Sequence, residues 1–279
     1  MINRKFILSA DEFGLSKAEN QAVLEGYVNG FLTNANICVN SEAFYSAIHD
    51  ILPDCPNLSI GICLNIQKGK ALTHCTLLTD SQGCFNKDFQ HIQLNIKNKE
   101  LLKQIETEFE AQILKAQNEI KIFNISSTNH IHAIPELFEI VCELAKKYGV
   151  QHIRTHFEEL YFIPEISKHL NLAYINNVHN LFRLNKYTKT NKKTLNKYGL
   201  KTNDYVIGIG YKNMMSSSAI EYGLKNLDEN CLIEAIIHPC KSIESEQARK
   251  NEFILTQDLT LKDTISRLGY DFTNYKNLN

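Results

Sequence analysis

Short apolar runs alternate along the chain with longer segments that carry apolar residues at helical spacing. Residues 6–10 form a compact apolar run that predicts a buried strand, and residues 17–29 then show the spacing of an amphipathic helix. A strong apolar run at residues 232–237 predicts a late strand. Because strands that alternate with helices form parallel sheets with crossover helices, this pattern predicts an α/β fold.

The other predicted elements continue the same alternation. Further strands are expected at residues 34–40, 58–66, 120–126 and 150–155, and further helices at 42–52, 94–118 and 135–148, with one or two more within 246–269. Residues 70–93 show no period and predict a long loop beside the mouth of a barrel, whereas residues 171–203 carry weak helical signals. No internal repeat or linker divides the chain, so one domain over residues 1–279 is predicted.

Composition narrows the class of protein. Lys and Arg total 30 and Asp and Glu total 31, so the net charge of -1 gives no electrostatic reason to expect a nucleic-acid or membrane partner. The eight cysteines form no CxxC pair and several lie within apolar runs, which favours buried reduced thiols. The absence of an apolar leader or a run of membrane-spanning length makes the cytoplasm the expected location.

Polar side chains follow the predicted strands at several points. These residues are Asp11, Glu12, Cys63, Thr128, Asn129, His130, His132, Arg154 and His238. Because the carboxyl ends of parallel barrel strands meet at one face, we expect these side chains to share a cavity.

Adjacent carboxylates after a buried strand need an explanation, because two such charges in one cleft repel each other. Asp11 and Glu12 suggest a metal site, a proton-sharing pair, or a helix cap at Asp11 with Glu12 in solvent. His130 and His132 would face the same side of an extended chain, although we assign His132 to packing and a bond to a backbone carbonyl. His238 is a candidate general acid or base because an imidazole ordinarily has a pKa near 6.5.

Several motifs resemble those of the YdjC-like carbohydrate deacetylases. Residues 9–16 read S-A-D-E-F-G-L-S and resemble the family's A-D-D-F-G-L-S, and residues 60–65, I-G-I-C-L-N, resemble its G-x-H-L. Residues 127–135, S-T-N-H-I-H-A-I-P, resemble D-S-H-x-H-x-H-x-x-P, and residues 234–239 resemble E-x-M-x-H-P. The resemblance implies a distorted (β/α) barrel of the polysaccharide-deacetylase type and removal of acetyl groups from N-acetylated amino sugars.

The same resemblance implies a divalent metal, yet its three ligand positions are substituted here. They are occupied by Glu12 in place of Asp, Cys63 in place of His, and Thr128 in place of His. Thr is a poor ligand, and a thiolate favours zinc over magnesium. The positions of the family's base and acid are retained as Asp11 and His238.

Three hypotheses follow from these substitutions. The first is a modified deacetylase in which Glu12, Cys63 and His130 bind zinc. The second is a metal-independent glycan hydrolase that uses Asp11, Glu12 and His238, and the third is a sugar-binding pseudoenzyme without turnover.

The resemblance also implies supporting roles. Arg154 is expected to orient Asp11, while Asn40, Asn65 and His130 are expected to contact a carbohydrate substrate. A homodimer is the expected assembly.

Overall fold

A parallel sheet forms the centre of the protein, which we describe from a computed structural model covering residues 3–225, 227–242, 244 and 246–278. The strands are β1 (Asn3–Phe13), β2 (Asn34–Ile37), β3 (Ser59–Leu64), β4 (Asn124–Ser127), β5 (His152–Ile153), β6 (Tyr205–Ile207), β7 (Asn230–Ile237) and β8 (Tyr270–Phe272). They follow the order β5-β4-β3-β2-β1-β7-β6, and β8 also pairs with β1. Every strand pairing is parallel, as the sequence pattern predicts.

Backbone hydrogen bonds connect the two ends of this strand order. The amide of Lys201 donates to the carbonyl of Gln151 at 2.9 Å, and the amide of Ile153 donates to the carbonyl of Lys201 at 3.0 Å. Further along, the amide of Val206 donates to the carbonyl of Phe157 at 2.8 Å. The ring of strands closes through irregular chain, and the expected distorted (β/α) barrel is confirmed.

Helices surround the sheet. They are α1 (Lys17–Val28), α2 (Phe44–Ser46), α3 (Phe89–Leu94), α4 (Lys99–Gln117), α5 (Pro135–Lys147), α6 (Leu172–Tyr198), α7 (Ser217–Leu224), α8 (Gln247–Leu255) and α9 (Leu259–Arg267). The hydroxyl of Ser16 accepts from the amide of Ala18 and caps α1, while Gly199, at φ 67°, ends α6. Among the described helices, none combines the length and apolar character that a membrane crossing requires.

Strand β1 separates an apolar layer from a polar barrel interior. Phe6, Leu8 and Ala10 are fully buried within the main apolar cluster. Ser9 and Asp11 alternate with them and face the interior, where the hydroxyl of Ser9 accepts hydrogen bonds from the side chains of Asn34 and Asn36 and Asp11 accepts one from Asn36. The apolar layer stabilises the fold, and the polar layer leads directly to the end of the strand that carries Asp11.

Several predicted element boundaries are wrong for identifiable reasons. The expected helix at residues 42–52 is a short α2 followed by a π-helical turn and a 3-10 turn that contains Pro53. The expected helix at 94–118 begins later, as α4, because the side chain of Asn98 caps it by accepting from the amides of Glu100 and Leu101. The helix α3 lies almost wholly within residues 70–93, which were expected to form a loop. The short strands β6 and β8 and the helix α7 are not predicted from the sequence.

Candidate active site

A cavity of about 520 Å³ opens at the carboxyl ends of β1, β3, β4 and β7. Its lining includes seven residues singled out in the sequence, which are Asp11, Glu12, Cys63, Thr128, Asn129, His130 and His238. It also includes three basic residues that the sequence does not point to as site residues, Lys68, Lys212 and Arg249. The structure therefore brings side chains from several distant strand ends to one place.

Arg154 holds Asp11 from the inside of the barrel. Its Nη1 lies 2.6 Å from Asp11 Oδ2 and its Nη2 lies 2.9 Å from Oδ1, while Nε and Nη2 bond both oxygens of Glu234 at 2.8 and 2.6 Å. Burial alone would raise the pKa of Asp11, but the charge and hydrogen bonds of Arg154 outweigh it and hold the pKa below its usual value. Asp11 is consequently ionised at neutral pH.

The two adjacent carboxylates both enter the cavity because the end of β1 is irregular. The register with β2 shifts between Ala10 and Phe13, and Glu12 has a left-handed φ of 65°. Glu12 is 7% exposed, and α1 is capped by Ser16. The alternative of a cap at Asp11 with Glu12 in solvent is therefore wrong.

Two cationic side chains form ion pairs with the carboxylate of Glu12. Lys68 Nζ lies 2.7 Å from Oε1, and Arg249 Nη2 lies 3.3 Å from Oε2. Burial would raise the pKa of Glu12, but the charges of His238, Lys68 and Arg249 lower it to about 2. Glu12 is therefore fully ionised and compensated by basic side chains.

The surroundings of His238 favour a positive charge, in contrast to those of Asp11 and Glu12. Its Nδ1 lies 3.7 Å from Glu252 Oε2, and its backbone amide donates to the same carboxylate. Burial would lower the pKa of His238, but Glu252, Glu12 and Asp11 raise it above its usual value. The imidazole thus keeps its proton to a higher pH than an ordinary histidine does.

The segment after β4 makes a tight turn instead of continuing extended. Asn129 and His130 both have left-handed φ angles, 50° and 58°, so the expectation that His130 and His132 share one side of an extended chain is wrong. His132 bonds the carbonyl of Arg154 through Nε2 at 3.0 Å and the hydroxyl of Ser127 through Nδ1, as expected of a packing residue. Burial lowers the pKa of His130 well below its usual value, so His130 is neutral.

Cys63 lies at the cavity wall between a hydroxyl and a second thiol. Its Sγ is 3.6 Å from Thr128 Oγ1, and the thiol of Cys38 hydrogen-bonds to it. This bond and burial raise the pKa of Cys38 well above its usual value, so Cys38 remains a thiol.

These residues do not fit the zinc site that Glu12, Cys63 and His130 were expected to form. Among the residues the structure describes, no group of three or more His, Cys, Asp and Glu side chains is arranged to hold a metal ion. Both oxygens of Glu12 already bind cationic side chains. The hydroxyl of Thr128, which replaces the third expected ligand, is a poor donor to such an ion.

Asn40 and Asn65 hold a loop at the cavity mouth. The side-chain amide of Asn65 donates to the carbonyl of Lys68 at 2.8 Å and to Asn40 Oδ1 at 3.0 Å, and Asn65 Oδ1 accepts from the amide of Lys68. Asn40 in turn donates to the carbonyl of Lys70 at 3.0 Å. Neither side chain lines the cavity, so direct contact with a substrate stays a prediction. Their hydrogen bonds instead fix the backbone of the loop that carries Lys68.

Two of the basic residues of the cavity are not predicted from the sequence because they lie outside the helices and strands. Lys68 comes four residues after β3, and Lys212 lies between β6 and α7, an interval without a periodic pattern. Lys68 could have been found from its position just beyond a predicted strand, since it follows Cys63 by only five residues. Arg249 lies in α8, and its contact with Glu12 comes from the docking of that helix.

The barrel and its cavity define a class of parallel α/β proteins with acidic and basic groups gathered at the carboxyl ends of the strands. Within that class the chain belongs to the YdjC-like family, whose model, described as YdjC-like protein, matches residues 5–267. The resemblance read from the motifs is thereby confirmed.

Two curated relatives share part of the chain. A carbohydrate deacetylase from Clostridium beijerinckii (strain ATCC 51743 / NCIMB 8052) is 31% identical over 161 residues, 56% of this chain and 63% of the relative. A carbohydrate deacetylase from Brevibacillus brevis (strain 47 / JCM 6285 / NBRC 100599) is 32% identical over 148 residues, 52% of this chain and 57% of the relative. The match thus spans about six-tenths of each relative's length.

A solved structure shares the fold over the whole chain. It is a candidate cellobiose-phosphate cleavage protein from Enterococcus faecalis V583, with a TM-score of 0.74, 20% identity and 99% coverage of both chains. At this identity the likeness demonstrates the fold alone.

Proposed function

We propose that this protein is a hydrolase that acts on carbohydrate and releases acetate from N-acetylated amino sugars. The observation that carries the proposal is the pairing, in one cavity, of an ionised Asp11 with a protonated His238. Amide hydrolysis needs a group that accepts a proton from water and another that gives a proton to the leaving nitrogen. The names of the two curated relatives support the same reaction class.

Asp11 has room for the attacking water on one oxygen. Oδ1 accepts from Arg154 and Asn36, whereas Oδ2 accepts from Arg154 alone among the described residues. A carboxylate oxygen accepts about two hydrogen bonds, so Oδ2 can take the proton of a water molecule. Arg154 fixes the orientation of that oxygen.

The bond changes are those of ordinary amide hydrolysis. Water loses a proton to Asp11 while its oxygen bonds to the acetamide carbon, and the electron pair of the carbonyl moves to its oxygen. When the carbonyl re-forms, the bond from carbon to nitrogen breaks and His238 gives its proton to the nitrogen. The products are acetate and the free amino sugar.

The proposal is tested by measuring acetate and free amines from N-acetylated oligosaccharides. Wild-type protein is expected to release both, and Asp11→Asn and His238→Asn are each expected to lower the rate by about 10²–10⁴-fold. Asp54→Asn, at an exposed carboxylate outside the cavity lining, is the matched control and should retain the wild-type rate.

Other products would replace the proposal with one of the remaining hypotheses. New reducing ends without acetate would indicate the glycan hydrolase that uses Asp11, Glu12 and His238 on a glycosidic bond. Saturable sugar binding with neither product would indicate a pseudoenzyme. The single domain over residues 1–279 and the homodimer stay predictions.

A further inference from the structure

We propose that Lys68 takes the place of a divalent metal ion in this site and donates a hydrogen bond to the substrate oxygen that becomes negative during amide hydrolysis. The inference rests on the proposed function. It addresses the substitution of all three expected metal ligands by Glu12, Cys63 and Thr128.

The charge of Glu12 is compensated without a metal. Lys68 Nζ lies 2.7 Å from Oε1, Arg249 Nη2 lies 3.3 Å from Oε2, and the same Arg249 nitrogen is 3.0 Å from Glu19 Oε1. A cation placed on this carboxylate would have to displace an ammonium or a guanidinium group. The attraction that would bind a metal is therefore already satisfied by the chain.

Lys68 keeps donor capacity for a ligand. An ammonium group has three N–H donors, and Glu12 is the one acceptor bonded by Lys68 Nζ within the described ranges. The side chain lines the cavity and is 49% exposed. Two N–H groups can thus turn toward a carbonyl oxygen in the cavity.

The backbone of Lys68 is held in place. Its amide donates to Asn65 Oδ1 at 3.0 Å and its carbonyl accepts from Asn65 Nδ2 at 2.8 Å. With the backbone anchored by Asn65 and the ammonium by Glu12, little reorganisation is needed when charge develops on the substrate. Such preorganised donors are the usual source of oxyanion stabilisation.

Lys212 provides a second positive charge on the same cavity. Its Nζ donates to Asn129 Oδ1 at 3.0 Å, and no carboxylate among the described residues lies within 4.0 Å of it. It lies close enough to His130 to disfavour a charge there. Lys212 thus stabilises the negative substrate oxygen by its charge alone, whereas Lys68 is placed to donate a hydrogen bond to that oxygen.

Lys68 transfers no proton during the reaction and acts only as a hydrogen-bond donor. As water attacks, the carbonyl electron pair moves to the oxygen, and that oxygen accepts a hydrogen bond from the Lys68 ammonium. When the carbonyl re-forms and the bond to nitrogen breaks, the hydrogen bond weakens and the ammonium is unchanged. Proton transfer stays with Asp11 and His238.

The kinetic test compares three variants in buffer that contains a chelator. Lys68→Met removes the charge at similar length and is expected to lower kcat about 10²–10³-fold with a small change in KM. Lys70→Met, two residues along the same loop and outside the cavity lining, should behave as wild type. Lys68→Arg retains the charge and should be at least tenfold faster than Lys68→Met. Equal kcat for the two Met variants would overturn the inference.

The metal test does not depend on activity. Wild-type protein, stripped with chelator, is dialysed against Zn²⁺ alone in parallel with Glu12→Gln, and retained zinc is measured. We expect the wild-type protein to retain no more zinc than the Glu12→Gln variant does. One retained equivalent that is lost in Glu12→Gln would show a metal site and refute the substitution by Lys68.

The two tests separate the inference from the proposed function. If wild-type protein hydrolyses no acetamide, the proposed function fails, and the zinc measurement still decides whether a metal binds at Glu12. If hydrolysis occurs in chelator and Lys68→Met is as fast as Lys70→Met, the function stands and the inference fails.

Discussion

His238 and Asp11 hold opposite charges in one cavity because each has a partner of opposite sign. Arg154 keeps Asp11 ionised through two hydrogen bonds, and Glu252 keeps His238 protonated from 3.7 Å. Burial opposes both charges, so the partners decide the protonation states. The pH dependence of activity should therefore depend on residues that do not touch the substrate.

Replacing Glu252 by Gln should move the alkaline limb of the kcat profile to lower pH. The pKa of His238 is raised in the folded protein, so its acidic form is present below that pKa and is lost as pH rises through it. Gln removes the negative charge that supports the imidazolium and retains an oxygen for the backbone amide of His238. A smaller shift is expected for Glu246→Gln, at the rim of the same cavity, and equal profiles would contradict the assignment of Glu252.

At single residues, sequence reasoning succeeds where side chains follow long, regular strands. Asp11 and His238 follow strong apolar runs, and their meeting in one cavity is what a parallel barrel requires. Lys68 and Lys212 lie on irregular loops whose path depends on tertiary contacts such as those of Asn65. No local pattern reports such contacts, so the basic half of the site becomes visible only in the structure.

At the scale of elements, β3 passes close to the polar interior because it contains Gly61. A Cβ at this position would lie 2.1 Å from Asn36 Oδ1 and 2.3 Å from Asn124 Oδ1. The missing side chain lets Asn124 donate to Asn36 at 2.8 Å, and Asn36 donates in turn to Asp11 at 2.7 Å. Gly61 therefore supports the orientation of Asp11 through a chain of amides.

We expect Gly61→Ala to lower the free energy of unfolding by about 1–3 kcal/mol, because overpacking displaces buried side chains. Ser59→Ala on the same face of β3 is the control, since the buried Ser59 hydroxyl has no partner among the described residues and its loss should be nearly neutral or stabilising. Urea denaturation of both variants measures the difference. Equal stability of the two variants would show that β3 can move away from Asn36 and Asn124.

Element length explains which parts of the fold could be predicted. The long amphipathic α5 and the strand β7 carry enough periodic positions to be recognised, and both lie within two residues of their predicted bounds. β6 and β8 have three residues each, too few to show a period. Their positions are set by pairing with β7 and β1, which is long-range information.

At the scale of the whole molecule, Arg154 connects distant parts of the barrel. It follows β5, bonds Asp11 at the end of β1 and Glu234 on β7, and shares Glu234 with the hydroxyl of Tyr275, which bonds Oε2 at 2.8 Å. Arg154 is fully buried, so these charges have no water to replace a lost partner. The barrel and the candidate active site thus depend on the same guanidinium group.

Replacing Arg154 by Met should lower the free energy of unfolding by about 3–5 kcal/mol at neutral pH, because it leaves buried carboxylates without their counter-charge. The pKa of Asp11 is lowered by folding, so its stabilising contribution is present above the ordinary carboxyl pKa and is lost as pH falls through the lowered value. In Arg154→Met that contribution is absent. The difference in the free energy of unfolding between the variant and wild type should therefore shrink as the solution is acidified. Denaturant titrations at pH 7 and pH 4 measure this trend, with Arg267→Met, an exposed site, expected within about 0.5 kcal/mol of wild type. A cost for Arg154→Met that matches Arg267→Met, or that grows in acid, would contradict the role given to the buried ion pairs.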